Sequence, residues 1–354
     1  MELFAPFPQR SLVLRNRIVV SPMCQYSAVD GVPDDWHLVH LGSRAVGGAG
    51  AVIAEATAVS AQGSISPEDT GLWNDTQMLA WQPVARFIRA QGAVAGVQLA
   101  HAGRKASTWR PWAGHGPLTP EQGAWTTVGP SPIPFYATAP PPMALDHAGI
   151  QRVIGEFRAA ATRALAAGFE LIELHAAHGY LLHQFLSPHS NQRNDGYGGS
   201  FANRSRLLRE VIAAVREVWP EHLPLWVRIS ATDWAEGDTG WNIEQNVQLA
   251  AQIKTMGVDL IDVSSGGLLP DVSVPIGPGY QVPFAARIRR EAGVATGTVG
   301  LITTAAQAQA IVAAGEADVV LLARASLRDP YFPRRAAAEL GAVLVAPVQY
   351  QRAW

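Results

Sequence analysis

The chain has 354 residues, 48% hydrophobic and 16% charged, with 27 basic and 29 acidic side chains and a formal net charge of −2. That is enough apolar material for a large core, and a near-neutral balance without a basic block gives no electrostatic reason to expect nucleic acid or an anionic membrane as partner, which leaves small molecules. Cys24 is the only cysteine, which excludes an intrachain disulfide, a four-cysteine zinc site and a cysteine-ligated iron–sulfur cluster.

The N-terminus carries no pattern of a secretory leader and no apolar run is long enough to span a bilayer, so the expected setting is a reducing cytoplasm. Along the chain, short β-rich apolar runs alternate with longer, alanine-rich amphipathic segments. Strands are predicted over 17–20, 51–56, 93–98, 170–174, 225–229, 260–263, 295–299 and 319–322. The clearest helices between them are 150–167, 205–218, 243–256, 305–314 and 331–340. Gly168, Gly257 and Gly315 each close a helical run before a strand, as a C-cap residue with positive φ does.

Eight such units predict an α/β fold, a (β/α)8 TIM barrel formed by a single domain over 1–354. The alternative is a doubly wound open sheet, whose Gly-x-Gly-x-x-Gly turn after the first strand is missing. Long excursions follow the third strand (102–146) and the fourth (175–203), on what is the catalytic face of a barrel. The first is rich in Trp, Pro and Gly, including Trp109, Trp112 and Trp125, and reads as a lid over a pocket rather than a linker.

The residues able to carry chemistry cluster at strand ends. The fourth strand runs into His175-Ala-Ala-His-Gly-Tyr180. His175 and His178 can offer imidazole N–H donors to one oxygen, and Tyr180 a phenolic proton beside them. A metal site is disfavoured, because the pair sits at a strand end with no carboxylate between. The first strand ends in Ser21-Pro-Met-Cys-Gln-Tyr26, where Cys24 is either a small buried filler or, with Tyr26, a residue touching a bound ring. Gln98 in the third strand points into the barrel or its mouth and needs partners, either backbone or a polar heterocycle. His101, Arg104 and Lys105 read as loop structure. Arg228, in the middle of an apolar run, demands either a structural ion pair or an electron-rich cofactor edge. Gly300 and Arg324, after the seventh and eighth strands, occupy the usual barrel phosphate position, with the turn 264–267 beside them.

Together these segments resemble the old yellow enzyme family of flavin-dependent ene-reductases along the whole chain, most closely its thermophilic-like bacterial branch. The resemblance rests on Ser21-Pro-Met-Cys24, the stretch 98–105, the stretch 175–180, the stretch 187–203 and Arg328-Asp-Pro-Tyr-Phe332. It implies non-covalent FMN over Ser21, Pro22, Met23 and Cys24, with Ala56 and Gln98 near its pyrimidine ring and Arg228 at the N1/O2 edge. The phosphate is then expected at Gly300, Ala323 and Arg324, with Ser264 and Gly266 nearby. Many relatives have glycine where this chain has Ala323, so the approach to phosphate is expected to alter slightly. NADPH or NADH would supply hydride, and an α,β-unsaturated carbonyl compound, an activated alkene, would be reduced by trans addition. His175 and His178 would hold its oxygen, Tyr180 would protonate it, and Tyr26 and Cys24 would complete the catalytic set.

The tail 347–354 resembles an arm that crosses to a neighbouring subunit, placing Arg352, with Trp354, at that subunit's substrate site. A homodimer or dimer-based tetramer is the assembly this implies; a frayed terminus is the alternative. Two rival functions stay open: a flavin-free phosphate-binding lyase or isomerase, and a flavin-binding sensor without turnover.

Overall fold

The computed structural model describes residues 2–354. Its centre is a closed barrel of eight parallel strands: β1 (Ile18–Val20), β2 (Ala51–Ala58), β3 (Val94–Ala100), β4 (Leu171–Ala176), β5 (Leu225–Ser230), β6 (Leu260–Ser264), β7 (Ala295–Thr298) and β8 (Val319–Leu322). Each pairs with its sequence neighbour and β8 pairs with β1, so the open-sheet alternative is excluded. Around it lie α1 (Asp35–Val46), α2 (Asp75–Ala90), α3 (His147–Ala167), α4 (Arg206–Arg216), α5 (Ile243–Lys254), α6 (Val282–Ala292), α7 (Ala305–Ala313) and α8 (Phe332–Leu340). Among the described residues no helix is long and apolar enough to cross a membrane.

Polar caps set the helix starts. The side chains of Asp34, Asn74, Asp146, Asn242 and Thr304 accept first-turn N–H groups of α1, α2, α3, α5 and α7. The cap at Asp146 is why α3 begins at His147 rather than at 150. Gly168, Gly257 and Gly315 all have positive φ, as their places after helices predict.

Strand parity carries the fold toward the site. Side chains alternate between barrel interior and helix-facing surface. Ile172, Leu174, Val227, Ile229, Ile261 and Val263 pack outward against helix residues such as Phe157 and Ile212. The opposite parity builds three inner levels. At the bottom, Val94, Leu171, Trp226 and Leu260 form an apolar floor. It is plugged by Phe7 and Leu14 of a short antiparallel hairpin (Phe7–Gln9 with Leu12–Leu14) that the sequence reading did not foresee. Above the floor, two residues further along β4, β5 and β6 and four along β3, stand the buried polar side chains Gln98, Glu173, Arg228 and Asp262. Above those are His175, Ser230 and Ser264, at the strand ends.

The excursion 102–146 has its own small structure, with Val128–Gly129 paired in parallel to Met143–Ala144 and a bridge between Thr108 and Pro117. It is tied back to the barrel by Arg104, which donates to the Leu268 carbonyl at 2.8 Å and to the Ile133 carbonyl at 3.2 Å.

Candidate active site

The C-terminal mouth of the barrel holds two adjoining spaces. The first, about 300 Å³, is lined by Ser21, Pro22, His178, Arg228, Ser264, Gly300, Ala323 and Arg324, with Arg328 at its rim. Its lining contains three arginines and no carboxylate, which suits a bound phosphate. The second, about 240 Å³, lies over Tyr26 and Tyr180 and is walled by Lys105, Trp109, His115 and Tyr136 of the excursion.

The loop after β4 brings the three proton-bearing side chains together. The His175 ring lies 5.1 Å from that of His178 and 4.9 Å from that of Tyr180, centroid to centroid. The turn is tight: His178 and Gly179 both have positive φ, and a Cβ at Gly179 would sit 2.2 Å from the Gly267 carbonyl oxygen. Lys105 fastens it, donating to the carbonyls of His178 and Gly267 at 2.9 Å each. His175 Nδ1 accepts the Ala177 N–H at 3.3 Å, which leaves Nε2 as the protonated nitrogen of the neutral ring. His178 Nε2 lies 2.7 Å from the Ser264 hydroxyl.

Electrostatics keep these groups neutral. Burial holds both imidazoles well below their ordinary pKa, reinforced by the charge of Arg228 and, for His178, first by His175. Burial raises the Tyr180 phenol well above its usual range, and the Cys24 and Asp69 charges add to this. The Cys24 thiol is likewise pushed up by burial, then by Asp69 and Glu55. Lys105 is lowered to about 8 by burial and by Arg104 beside it. Neutral imidazoles and a neutral phenol can all act as hydrogen-bond donors.

Of the first-strand residues, Ser21 and Pro22 line the larger space, while Met23 and Cys24 do not. Ser21 accepts from Arg228 Nη2 at 3.0 Å, Pro22 lines the larger space, and Met23 packs on the outer core. Cys24 and Tyr26 pack with Tyr180 against Ile65, Ala102 and Ala106. Tyr26 adopts φ +48° and meets Trp112 edge-on at 5.9 Å. Ala56 pairs in register with Gln98 because β2 bulges between Ala54 and Ala56. The extra residue, Glu55, is buried and accepts the Gln25 N–H at 2.8 Å, steadying the Cys24 loop.

Arg228 makes the structural ion pair, its Nε 3.0 Å from Asp262, and it also lines the larger cavity. Gln98 donates to Glu173 at 2.7 Å, so its partner is a side chain rather than backbone. Ala323 has φ −101° and ψ −101°, outside the common α and β regions. Gly266 uses its N–H on Thr232 and its carbonyl on the Ser230 hydroxyl, which leaves it shaping the turn. Arg352 and Trp354 line neither cavity of this chain; Trp354 stacks on Tyr331 at 6.3 Å on the outer surface.

Several functional residues escaped the sequence reading. Lys105, read as loop structure, is a wall of the mouth. Asp69, whose carboxyl is raised to about 7 by burial, faces Tyr180 across a small gap. Glu55, Glu173 and Asp262 sat unremarked in predicted strands.

The sequence model of the family described as NADH:flavin oxidoreductase / NADH oxidase matches residues 2–342. The chain belongs to this family, the old yellow enzymes. An NADPH dehydrogenase of Listeria innocua is 48% identical over 100% of this chain and 99% of its own length. One from a Geobacillus strain is 48% identical over 99% of this chain and 98% of its own. Among solved structures, morphinone reductase superposes with a TM-score of 0.79 at 28% identity, covering 98% of this chain and 91% of its own. The old yellow enzyme homologue of Zymomonas mobilis gives 0.78 at 25%, covering 98% and 95%. As an old yellow enzyme the protein is an NAD(P)H-dependent flavin oxidoreductase using FMN, which sets aside the flavin-free lyase. The cavity fits that cofactor: a basic end for phosphate, and Arg228 as a polar partner for a ring edge.

Proposed function

We propose that this enzyme is an ene-reductase: it takes hydride from NADPH or NADH and reduces the activated C=C bond of α,β-unsaturated carbonyl compounds, adding hydrogen trans. The observation that carries the reading is the clustering of two neutral imidazoles and a neutral phenol at the end of one barrel strand, with the His175 ring 5.1 Å from that of His178 and 4.9 Å from that of Tyr180. The naming of 48%-identical relatives as NADPH dehydrogenases supports NADPH as donor.

FMN, when bound, supplies the hydride chemistry. The protein's part is to hold and polarise. Ser21, Pro22, Met23, Cys24, Ala56, Gln98 and Arg228 surround the ring site, with Ser264, Gly300, Ala323 and Arg324 around the chain that carries the phosphate. Of the two acceptors beside the Ser264 hydroxyl, His178 Nε2 at 2.7 Å and Gln281 Oε1 at 3.3 Å, we assign its proton to the nearer, which places the His178 proton on Nδ1. His175 Nε2–H and His178 Nδ1–H then grip the substrate oxygen, drawing electron density from the alkene and stabilising the enolate-like transition state. Tyr180 gives its proton to the α-carbon, and Tyr26 with Cys24 bounds the substrate on the other side. The excursion 102–146 serves as the lid.

Tyr180→Phe separates the steps. The variant should be reduced by NADPH at the wild-type rate, while reduction of cyclohexenone slows about 100-fold. Equal slowing of both steps, or of neither, rejects Tyr180 as the acid.

A further inference from the structure

We propose that Glu173 is a protonated carboxylic acid that donates to Asp262 and accepts from Gln98, positioning Gln98 and Arg228 beneath the flavin site. The proposal rests on the assignment of FMN to this cavity and concerns residues that no step above uses.

The middle level of the barrel interior contains two acids and one cation. β3 contributes Gln98, β4 Glu173, β5 Arg228 and β6 Asp262, and parallel pairing sets Gln98 beside Glu173 and Arg228 beside Asp262. Glu173 and Asp262 have no solvent exposure, and Gln98 and Arg228 have 2% and 4%. Trp226 and the apolar floor seal the level from below. Two carboxylates against a single guanidinium would leave one uncompensated charge in a sealed interior, at a cost of several kcal/mol. A proton held between them removes it.

The hydrogen-bond inventory says where the proton sits. Arg228 Nε lies 3.0 Å from Asp262 Oδ2, which favours the anion at Asp262. Glu173 Oε1 takes the Gln98 amide N–H at 2.7 Å, whereas Glu173 Oε2 and both Asp262 oxygens are buried without a hydrogen-bond donor, the Arg228 contact to Oδ2 being an ion pair alone. The two acids are in hydrogen-bond contact, and a single O–H from Glu173 to Asp262 gives one Asp262 oxygen a donor while the Arg228 charge faces the carboxylate. Burial followed by the Asp262 charge raises Glu173 well above the ordinary carboxyl range; Arg228 and the Glu173 hydrogen bond oppose the upward push on Asp262.

The consequence reaches the cofactor site. With its NH2 group committed to Glu173, the Gln98 amide has a fixed orientation. Arg228 is held on two sides, by Asp262 and by the Ser21 hydroxyl at 3.0 Å. The groups facing the acids are Gln98 and Arg228, so with one proton between the acids the level is electrically neutral and Glu173 is a positioning residue.

The test uses infrared spectra and flavin potentials of the FMN-loaded protein and of Glu173→Gln. Wild type at about pH 8 should show the C=O stretch of a protonated carboxylic acid, sensitive to deuteration and absent from E173Q. Because Gln replaces one neutral group by another, E173Q should keep the wild-type flavin potential and FMN affinity. Glu173→Leu, which removes the acceptor for Gln98 and the donor for Asp262, should weaken FMN binding about tenfold. Absence of the carboxylic band overturns the proposal, as does an E173Q potential raised above wild type, the sign that an anion had been removed. Wild-type FMN affinity in E173L overturns the positioning role; should E173L not fold, the band and the E173Q potential decide. The band is also read on flavin-free protein, so it stands or falls independently of the FMN assignment.

Discussion

His101 closes β3 with its ring buried and its Nδ1 accepting the Gly103 N–H at 3.0 Å. Burial, with the charge of Arg152 behind it, lowers its pKa to about 4. A folded value below the unfolded one means that the unfolded chain binds the proton first. The stability tied to neutral His101 is therefore present above about pH 6.5 and lost as pH falls toward about 4. Between about pH 7 and about pH 4.5 the wild type should lose roughly 2 kcal/mol more stability than His101→Asn, which keeps an acceptor for Gly103. Urea midpoints at the two pH values measure this, and parallel losses would contradict it. At the same scale, the residues legible in the sequence were those whose chemistry is unusual for their surroundings: a paired His motif, an arginine in an apolar strand, a glutamine among aliphatics. Glu173 and Asp262 shared the inward parity of His175 and Ser264, so alternation within Leu-Ile-Glu-Leu-His and Leu-Ile-Asp-Val-Ser was the available signal. What it could not supply was the partner, because Glu173 meets Asp262 only after strands 89 residues apart in number lie in one barrel level. Lys105 was hidden for the same reason, since its acceptors belong to the loops after β4 and β6.

Among elements, the loops after β4 and β6 act as one unit. The backbone at Gly179 passes so close to that at Gly267 that no side chain fits between them, and the Lys105 ammonium bridges the two. Gly179→Ala should force the loops apart, moving His178 from Ser264. The expected outcome is a destabilisation of more than about 1 kcal/mol together with weaker FMN retention, read by thermal unfolding and by the fluorescence of released flavin. Unchanged unfolding and retention would show that the contact is slack. The strands themselves were readable because barrel strands are buried on both faces and so appear as continuous apolar runs. The hairpin that plugs the floor was not, since three-residue strands leave too short an alternation to recognise. The bulge in β2 was equally silent: it depends on how Ala54 to Ala56 pair with β3 and has no glycine to mark it.

For the whole molecule, the arm is the open question of assembly. In one chain Trp354 rests on Tyr331 and beneath Arg334, away from the mouth, and Val343, Val345 and Val348 are exposed. Such an apolar tail suits burial against a second copy. If the arm reaches a second copy as the family resemblance implies, deleting 347–354 should leave FMN bound and its reduction by NADPH intact, yet raise the KM for cyclohexenone severalfold through the loss of Arg352. An unchanged KM would confine the arm to its own chain.

The central claim, a flavin that shuttles hydride from nicotinamide to an activated alkene, is tested most directly by an anaerobic absorbance titration of the purified protein. The account predicts flavin bands that bleach on adding NADPH and return on adding cyclohexenone. A flavin that bleaches but stays reduced in the presence of the enone would contradict ene-reduction, and a colourless protein that cannot be reconstituted with FMN would contradict the cofactor assignment itself.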